Sequence, residues 1–416
     1  MSIFEDRESE VRSYCRHFPV VFKRSKMSIL YDTEGNEYLD FLSGAGALNY
    51  GHNNDYLKKP ILEHIQNDGV THALDMYVDV KADFLETFQD KILVPRGLDY
   101  KVMFCGPTGT NANEAALKLA RKVKGRTNIF AFTGGFHGMT MGALSATSGT
   151  GPRKVLSPLL SGVSFMPYPV GSYYKGIDTI GYIRDVLEDD HSGVEKPAAI
   201  ILETVQGEGG INPAPIQWLK DLRALCDEFD ILMIVDEVQA GCGRCGSFFS
   251  FERAGIVPDM VTMSKSISGY GMPMALLLMK KELDIFSPAE HNGTFRGIQL
   301  SMIGAKAAID FRESYDFDGE TNRKSQIARK YIEENILPLD NKIELRGLGL
   351  YFGIDMHNEQ EASDIADECF NRKLIIERAG RHDEVVKLMP TLTITDEELL
   401  RGLEIIKDSV KLVLGK

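Results

Sequence analysis

Apolar residues in this chain fall mostly into short runs closed by turn residues and separated by segments of helical spacing. From about residue 56 the two patterns alternate. Residues 57–67, 80–92, 111–123 and 217–229 carry the i, i+3, i+4 spacing of helices. Residues 100–105, 128–132, 198–203, 231–235, 260–263 and 274–279 are continuous apolar runs of strand length. Strands apolar on every position belong in a mostly parallel sheet covered by helices on both faces, an α/β arrangement. Ligands of such sheets bind beyond the carboxyl ends of the strands. Before this core, residues 8–16 read as a helix. Residues 29–41 read as a hairpin around Asp32-Thr33-Glu34-Gly35-Asn36, and residues 43–53 as a loop of small residues. After about residue 305 the pattern turns to helices with few strands. An edge hairpin is expected over 347–355, and a terminal helix over 396–414 behind Thr395 as N-cap.

The chain has 416 residues, enough for two or three domains. Its formal charge of -13 disfavours nucleic acid and anionic membranes as partners. No apolar run approaches the ~20 residues of a membrane span. The first residues, Met1 to Glu8, lack the apolar core of a signal peptide and carry acids that a mitochondrial presequence avoids. A cytoplasmic protein is expected, with Cys15, Cys105, Cys226, Cys242, Cys245 and Cys369 as reduced thiols. Cys242-Gly243-Arg244-Cys245 has the C-x-x-C form but no second ligand pair at zinc spacing, and no metal is expected.

Candidate chemistry gathers at the ends of the predicted strands. Lys265 follows the run 260–263 and opens a small-residue loop. Lysines are common on surfaces, but Asp236 closes the apolar run 231–235 at the same sheet edge. A buried carboxylate is costly unless paired. An amine and an acid so placed suit pyridoxal phosphate: the amine condenses with its aldehyde, and the acid pairs with its pyridine nitrogen. Gly106-Pro107-Thr108-Gly109-Thr110-Asn111 leads from a strand into a helix, where the amides of Gly109 and Thr110 can hold a phosphate. The alternatives are an ordinary strand-to-helix turn or a nucleotide-binding P-loop. The second fails because no lysine closes the turn. Gly134-Gly135-Phe136-His137-Gly138 is a second glycine loop, with an aromatic ring able to stack on a flat cofactor or to plug a small core.

These motifs resemble the class III (ω-amine) aminotransferases, which use pyridoxal phosphate on fold type I. The resemblance runs nearly end to end. It includes Thr108-Gly109-Thr110-Asn111-Ala112-Asn113-Glu114-Ala115, Phe136-His137-Gly138, and Glu203-Thr204-Val205-Gln206-Gly207-Glu208-Gly209-Gly210, with Thr204 where proline is usual. It also includes Asp236-Glu237-Val238-Gln239 with Gly241, Gly243, Arg244 and Gly246. It implies a large cofactor domain over 56–305 and a smaller α+β domain from residues 1–55 and 306–416. It implies that Lys265 carries the cofactor, that Asp236 holds the ring nitrogen and that Gln239 bonds the ring's 3′-oxygen. Phe136, beside His137, would cover one ring face. Gly109 and Thr110, with Thr108 of the same motif, would hold the phosphate, and Glu203 opens the third motif. Thr294 would reach the phosphate of a neighbouring subunit, making the smallest competent unit a homodimer, alone or within a larger homo-oligomer. Glu208 would be a gating acid that pairs with a cation. Where the family has arginine as that cation, this chain has Lys387, with Arg296 as a second candidate for the substrate carboxylate.

The segments 4–16, 49–54, 264–271 and 291–297 resemble the branch of the family that serves ectoine synthesis. That branch passes an amino group from glutamate to aspartate 4-semialdehyde, giving 2,4-diaminobutyrate and 2-oxoglutarate. The alternatives within the fold are transaminases of ornithine, acetylornithine or 4-aminobutyrate, and an aminomutase.

Overall fold

The structure is a computed structural model that describes residues 2–154, 156–171, 173–174 and 176–416. A 7-stranded sheet forms its centre, in the order Tyr100–Gly106, Ala275–Lys280, Met260–Met263, Leu232–Asp236, Ala199–Leu202, Ile129–Phe132, Val163–Met166. Ala275–Lys280 runs antiparallel to both of its neighbours, and the remaining pairings are parallel. Every residue of Leu232–Asp236 is buried, and the strand alternates between two cores. Met233 and Val235 join Ile200, Leu202, Val261 and Met263 on one face. Leu232 and Ile234 join Ala199, Ile201 and Met260 on the other. Both faces being covered explains why these strands are apolar without alternation.

Gly109–Lys124 lies on the second face and buries Ala112, Ala115, Ala116, Leu119 and Ala120. Its small side chains let the helix approach the sheet closely. Thr108 and Asn111 form a capping box at its start, and Gly125, at φ 60°, closes it.

A separate hydrophobic cluster joins the two chain ends. Ile29, Leu39, Phe41 and Leu57 pack there with Ile332, Ile354, Ile365, Leu388, Leu403 and Ile406. The strand Glu37–Asp40 pairs in parallel with Leu374–Ile375, and the terminal helix Asp396–Val413 begins at a capping box of Thr395 and Glu398. Phe41 sits against Gly402 of that helix, where a methyl group would collide with its ring. No helix among the described residues is long and apolar enough to cross a membrane.

The structure departs from the sequence pattern in several places. The helix expected over 8–16 does not form. Instead Ile3–Arg7, capped by Ser2 and Glu5, and Tyr14–His17 are two short helices. The intervening residues are polar apart from Val11, which is 88% exposed, so a helix there would have no face to bury. The expected helix over 80–92 stops as an α-helix at Phe88 and widens into a π-turn, Gln89–Leu93, before Pro95. Strands Phe22–Lys26 and Val163–Met166 have no counterpart in the sequence pattern; their polar interruptions hide the strand period. The small-residue loop contains a helical turn, Ser43–Gly46, with Gly44 and Ala45 in left-handed conformations.

Arg244 ties these parts together. It is wholly buried, and its guanidinium donates to the Leu350 carbonyl (3.0 Å), the Pro390 carbonyl (2.6 Å) and Asn49 Oδ1 (2.5 Å). Burial lowers its pKa to about 10. Replacing it would strand three buried acceptors. Arg244→Met should therefore cost about 3 kcal/mol or more, read as a lower urea midpoint with unchanged slope; an unchanged midpoint would count against this role.

Candidate active site

The carboxyl ends of the parallel strands converge on one cavity of about 160 Å³. Asp236 ends the strand Leu232–Asp236 and is 4% exposed. Its Oδ2 accepts from Asn113 Nδ2 at 2.8 Å and lies 2.8 Å from His137 Nδ1. Its Oδ1 accepts from the Val238 amide at 3.0 Å. Each supporting donor is itself fixed. Asn113 donates to the His137 carbonyl (2.7 Å) and accepts from Thr262 Oγ1 (2.7 Å), and the His137 amide donates to Thr147 Oγ1 (2.8 Å). Burial disfavours charge on His137, but the hydrogen bond and charge of Asp236, with Glu203 adding to them, outweigh it and raise its pKa. The net effect is a carboxylate whose two oxygens are both held by hydrogen bonds inside an apolar strand end.

Lys265 stands two residues beyond Met263 on the neighbouring strand, in a left-handed conformation at φ 53°. Such a conformation in a residue other than glycine is strained and persists only when its surroundings hold it. The turn after it is anchored by Ser266, which donates to the Gly46 carbonyl (2.8 Å) and accepts from the Asn49 amide (3.0 Å). Burial first, and then the charge of Lys387, lower the pKa of Lys265. Both favour the neutral amine, which is the nucleophilic form.

At one end of the cavity the helix Gly109–Lys124 begins. Its first amides have no partners within the helix and point a positive dipole end outward. A Cβ on Gly109 would come within 2.8 Å of Val238, and one on Gly138 would collide with Thr110 Oγ1. The backbone can approach a ligand here only because both positions are glycine. Phe136, 36% exposed, forms part of the wall. Its amide donates to Glu203 Oε1 (3.0 Å), and the Gly207 amide donates to Glu203 Oε2 (2.9 Å). Glu203 therefore joins the loops carrying Phe136 and Glu208. Burial pushes its pKa up to about 7.

Glu208 lies across the cavity from this anchor. Its Oε1 accepts from Lys387 Nζ at 2.8 Å and from Gln239 Nε2 at 3.4 Å. Burial raises the pKa of Glu208, but the charge and hydrogen bond of Lys387 reverse this and hold it low. Gln239 Oε1 accepts from the Tyr351 hydroxyl at 2.5 Å. Lys387 is wholly buried, and Glu377 sits on its other side at 3.1 Å. Burial opposes the charge of Lys387, yet the two carboxylates raise its pKa.

The cavity brings together ten of the residues singled out from the sequence: Lys265, Asp236, Gln239, Thr108, Gly109, Thr110, Phe136, His137, Glu203 and Glu208. Lys387 lies behind its wall. Thr294 and Arg296 belong to the turn Thr294–Gly297, outside the cavity, where Arg296 pairs with Asp75 at 2.9 Å. Sequence reasoning missed Asn113, whose signal was available: it stands one helical turn after Gly109, a lone amide on an alanine-rich face. It also missed Glu377 and Tyr351, which lie outside every motif, and gave no role to Tyr14, although that residue lies in the segment 4–16.

The cavity suits a flat, phosphorylated pyridine. It offers a helix end for the phosphate, an aromatic wall, a buried anion for a ring N–H and an uncharged-leaning amine. His137 Nε2, buried without a hydrogen-bond partner among the described residues, lies next to this anion and leaves the Asp236 contact as the imidazole's sole polar tie.

The aminotransferase class-III profile matches residues 11–410. A diaminobutyrate--2-oxoglutarate transaminase of Bordetella parapertussis is 52% identical over 413 residues, covering 99% of this chain and 95% of its own. That of Halalkalibacterium halodurans is 51% identical over 412 residues, covering 99% of this chain and 96% of its own. Among solved structures, an ornithine aminotransferase from Toxoplasma gondii superposes with a TM-score of 0.86 at 24% identity, over 99% of this chain and 93% of that one. An S-selective transaminase from Bacillus megaterium gives 0.86 at 21% identity, over 99% and 97%.

Glu203 yields a pH test. Its folded pKa, about 7, lies above its ordinary value of 4.5. Its contribution to stability is present in full below about pH 4.5 and is lost as pH rises through about 7. Glu237, buried and also raised to about 7, adds a parallel loss. Glu203→Gln in the cofactor-free protein should flatten roughly half of this decline, measured as denaturant midpoints at pH 5 and pH 8. A slope equal to that of the wild type would refute the assignment.

Proposed function

The chain belongs to the class-III aminotransferases, and from that membership we propose that it moves an amino group between L-glutamate and L-aspartate 4-semialdehyde, giving L-2,4-diaminobutyrate and 2-oxoglutarate. The reading of the reaction rests on one observation: Lys265 and the fixed anion Asp236 open onto the same cavity. The choice of substrates is supported by relatives about half identical over nearly the whole chain, which carry that activity in their names.

Pyridoxal phosphate, the cofactor of this family, supplies an aldehyde that condenses with amines and a ring that spreads the electrons left when a substrate carbon loses a proton. The first turn of Gly109–Lys124, with Thr108 and Thr110, would hold its phosphate. Asp236 would hold its ring N–H, Phe136 would cover one face, and Gln239 would reach its phenolic oxygen. Lys265 would anchor it, and its free amine would carry the proton to and from the substrate carbon. The lowered pKa of Lys265 keeps that amine ready to accept. His137 and Asn113 would act by holding Asp236 in place, so that its contact with the ring needs no rearrangement during reaction. Glu208, with Lys387 behind it, faces the substrate end of the cavity. Arg296 is a second cation for a substrate carboxylate, located on the outer turn.

Thr294 stands on an exposed turn beside Phe295, which is 64% exposed, and the same surface carries Met76 at 59% and Tyr77 at 100%. Apolar exposure of this kind accords with a homodimer in which Thr294 reaches the partner's phosphate site. Residues 56–305 would form the cofactor domain and the two chain ends the smaller one. All six cysteines are free, which accords with a cytoplasmic setting.

Glutamate added to the purified holoenzyme should bleach the visible band of the cofactor, and aspartate 4-semialdehyde should restore it. Restoration only by the aldehydes of ornithine, acetylornithine or 4-aminobutyrate would move the substrate assignment, and exchange without any oxo-acid acceptor would indicate an aminomutase. Lys265→Ala should abolish turnover with the fold retained by circular dichroism. Asp236→Asn should slow single-turnover proton transfer by roughly 10²-fold or more; an unchanged rate would remove Asp236 from the mechanism.

A further inference from the structure

Tyr351 opens the strand Tyr351–Asp355, which belongs to a sheet separate from the central one. It is wholly buried, with Val205, Ile211, Ala240 and Met389 around it. Its hydroxyl, the one polar atom of the side chain, donates to Gln239 Oε1 at 2.5 Å. Burial first, and then the charges of Glu208 and Glu203, raise the pKa of this hydroxyl and keep its proton in place. At the other end of the amide, Gln239 Nε2 donates to the Ala45 carbonyl at 3.2 Å and to Glu208 Oε1 at 3.4 Å. Ala45 presents that carbonyl from a left-handed turn at φ 55°. A carbonyl only accepts, so Ala45 and Tyr351 agree on one orientation of the amide. The bond is pressed against Gly207, where a Cβ would collide with both Gln239 Oε1 and the Tyr351 hydroxyl. Of the two acceptors of Nε2, Glu208 is the looser. Its nearer partner is Lys387, at 2.8 Å, and it also faces a second, acidic hollow of about 280 Å³, roofed by Ser13, His17 and Tyr14, whose hydroxyl docks on Glu377.

Gln239 lines the cavity that holds Lys265, whereas Tyr351 does not. On the reading proposed above, which this inference rests on, Gln239 reaches the phenolic oxygen of the cofactor. The two ends of an amide are similar in size and opposite in polarity. An N–H facing that oxygen donates to it, and a C=O in the same place would repel it. We propose that Tyr351 is a positioning residue for the reaction: by claiming Gln239 Oε1 it fixes Nε2 as the end that meets the phenolic oxygen. Ala45 keeps one N–H, and the other turns from Glu208 to the cofactor. A donor on the phenolic oxygen draws off negative charge that would otherwise hold the proton on Lys265 Nζ in the holoenzyme. Losing that donor therefore raises the pH at which the proton leaves. The charged groups facing Lys265 are Lys387, Glu208, Glu377 and Asp236, and removing the Tyr351 hydroxyl changes none of them.

The test is a pH titration of the visible band of the holoenzyme, read beside the dissociation constant of pyridoxal phosphate. Tyr351→Phe removes the hydroxyl and keeps the buried ring. It should raise the midpoint of the colour change by about one pH unit and weaken cofactor binding roughly tenfold. Gln239→Leu should do at least as much. The double variant, which leaves neither group without its partner, should shift the midpoint no further than Gln239→Leu alone, because Tyr351 acts through the amide. An unshifted midpoint in Tyr351→Phe beside a shifted one in Gln239→Leu would overturn the proposal. So would additive shifts in the double variant, which would give the hydroxyl an effect independent of Gln239. A Gln239→Leu midpoint equal to that of the wild type would instead overturn the reading that Gln239 reaches the phenolic oxygen.

Discussion

A buried carboxylate at the end of an apolar strand is the feature around which this fold is arranged. Asp236 occupies a position where charge is expensive, in a strand whose remaining positions are all apolar and buried. Three donors from three segments meet that cost: Asn113 from the second turn of the helix Gly109–Lys124, His137 from the second glycine loop and the amide of Val238. Each side-chain donor has its own fixed partners, so the anion cannot relax without several elements moving together. This rigidity means that a positive group meeting the carboxylate would do so with little reorganisation. The neighbouring strand delivers Lys265 to the same edge, and the register between the two strands, Asp236 opposite Thr262, sets their spacing.

Charge is managed differently around Lys387. There a lysine, two glutamates and a tyrosine form a compact buried chain, with one acid exposed and one locked. The exposed acid sits between two cavities. Burial lowers the pKa of Lys265, and the charge of Lys387 adds to this while Glu208 and Glu377 oppose it, so the cluster and the Lys265 amine are electrostatically coupled.

Most of the central sheet was legible because burial on both faces leaves continuous apolar runs, and the strands from Tyr100–Gly106 to Ala275–Lys280 follow those runs closely. The site was legible where chemistry is local: glycines demanded by close approach, a lysine after a strand, an acid ending one. It was illegible where residues distant in sequence meet. Glu377 pairs with Lys387 only because the strands Glu377–Ala379 and Val385–Leu388 lie side by side in antiparallel register. Tyr14 reaches them only after the chain has folded across that sheet. The expected helix over 8–16 failed for a related reason: its sequence has helical residues but no apolar stripe, so tertiary contacts, not local preference, decide its path.

The docking of Tyr14 has a practical side. The two chain termini are not equivalent points at which to append foreign sequence. Lys416 ends the chain just past the terminal helix and rests on the Leu339 carbonyl and Asp340, apart from either cavity. The opposite terminus lies a dozen or so residues from the roof of the acidic hollow. A purification peptide is therefore better carried behind Lys416. Fused at the amino terminus, it would hang over the hollow that Glu208 shares with the Lys265 cavity.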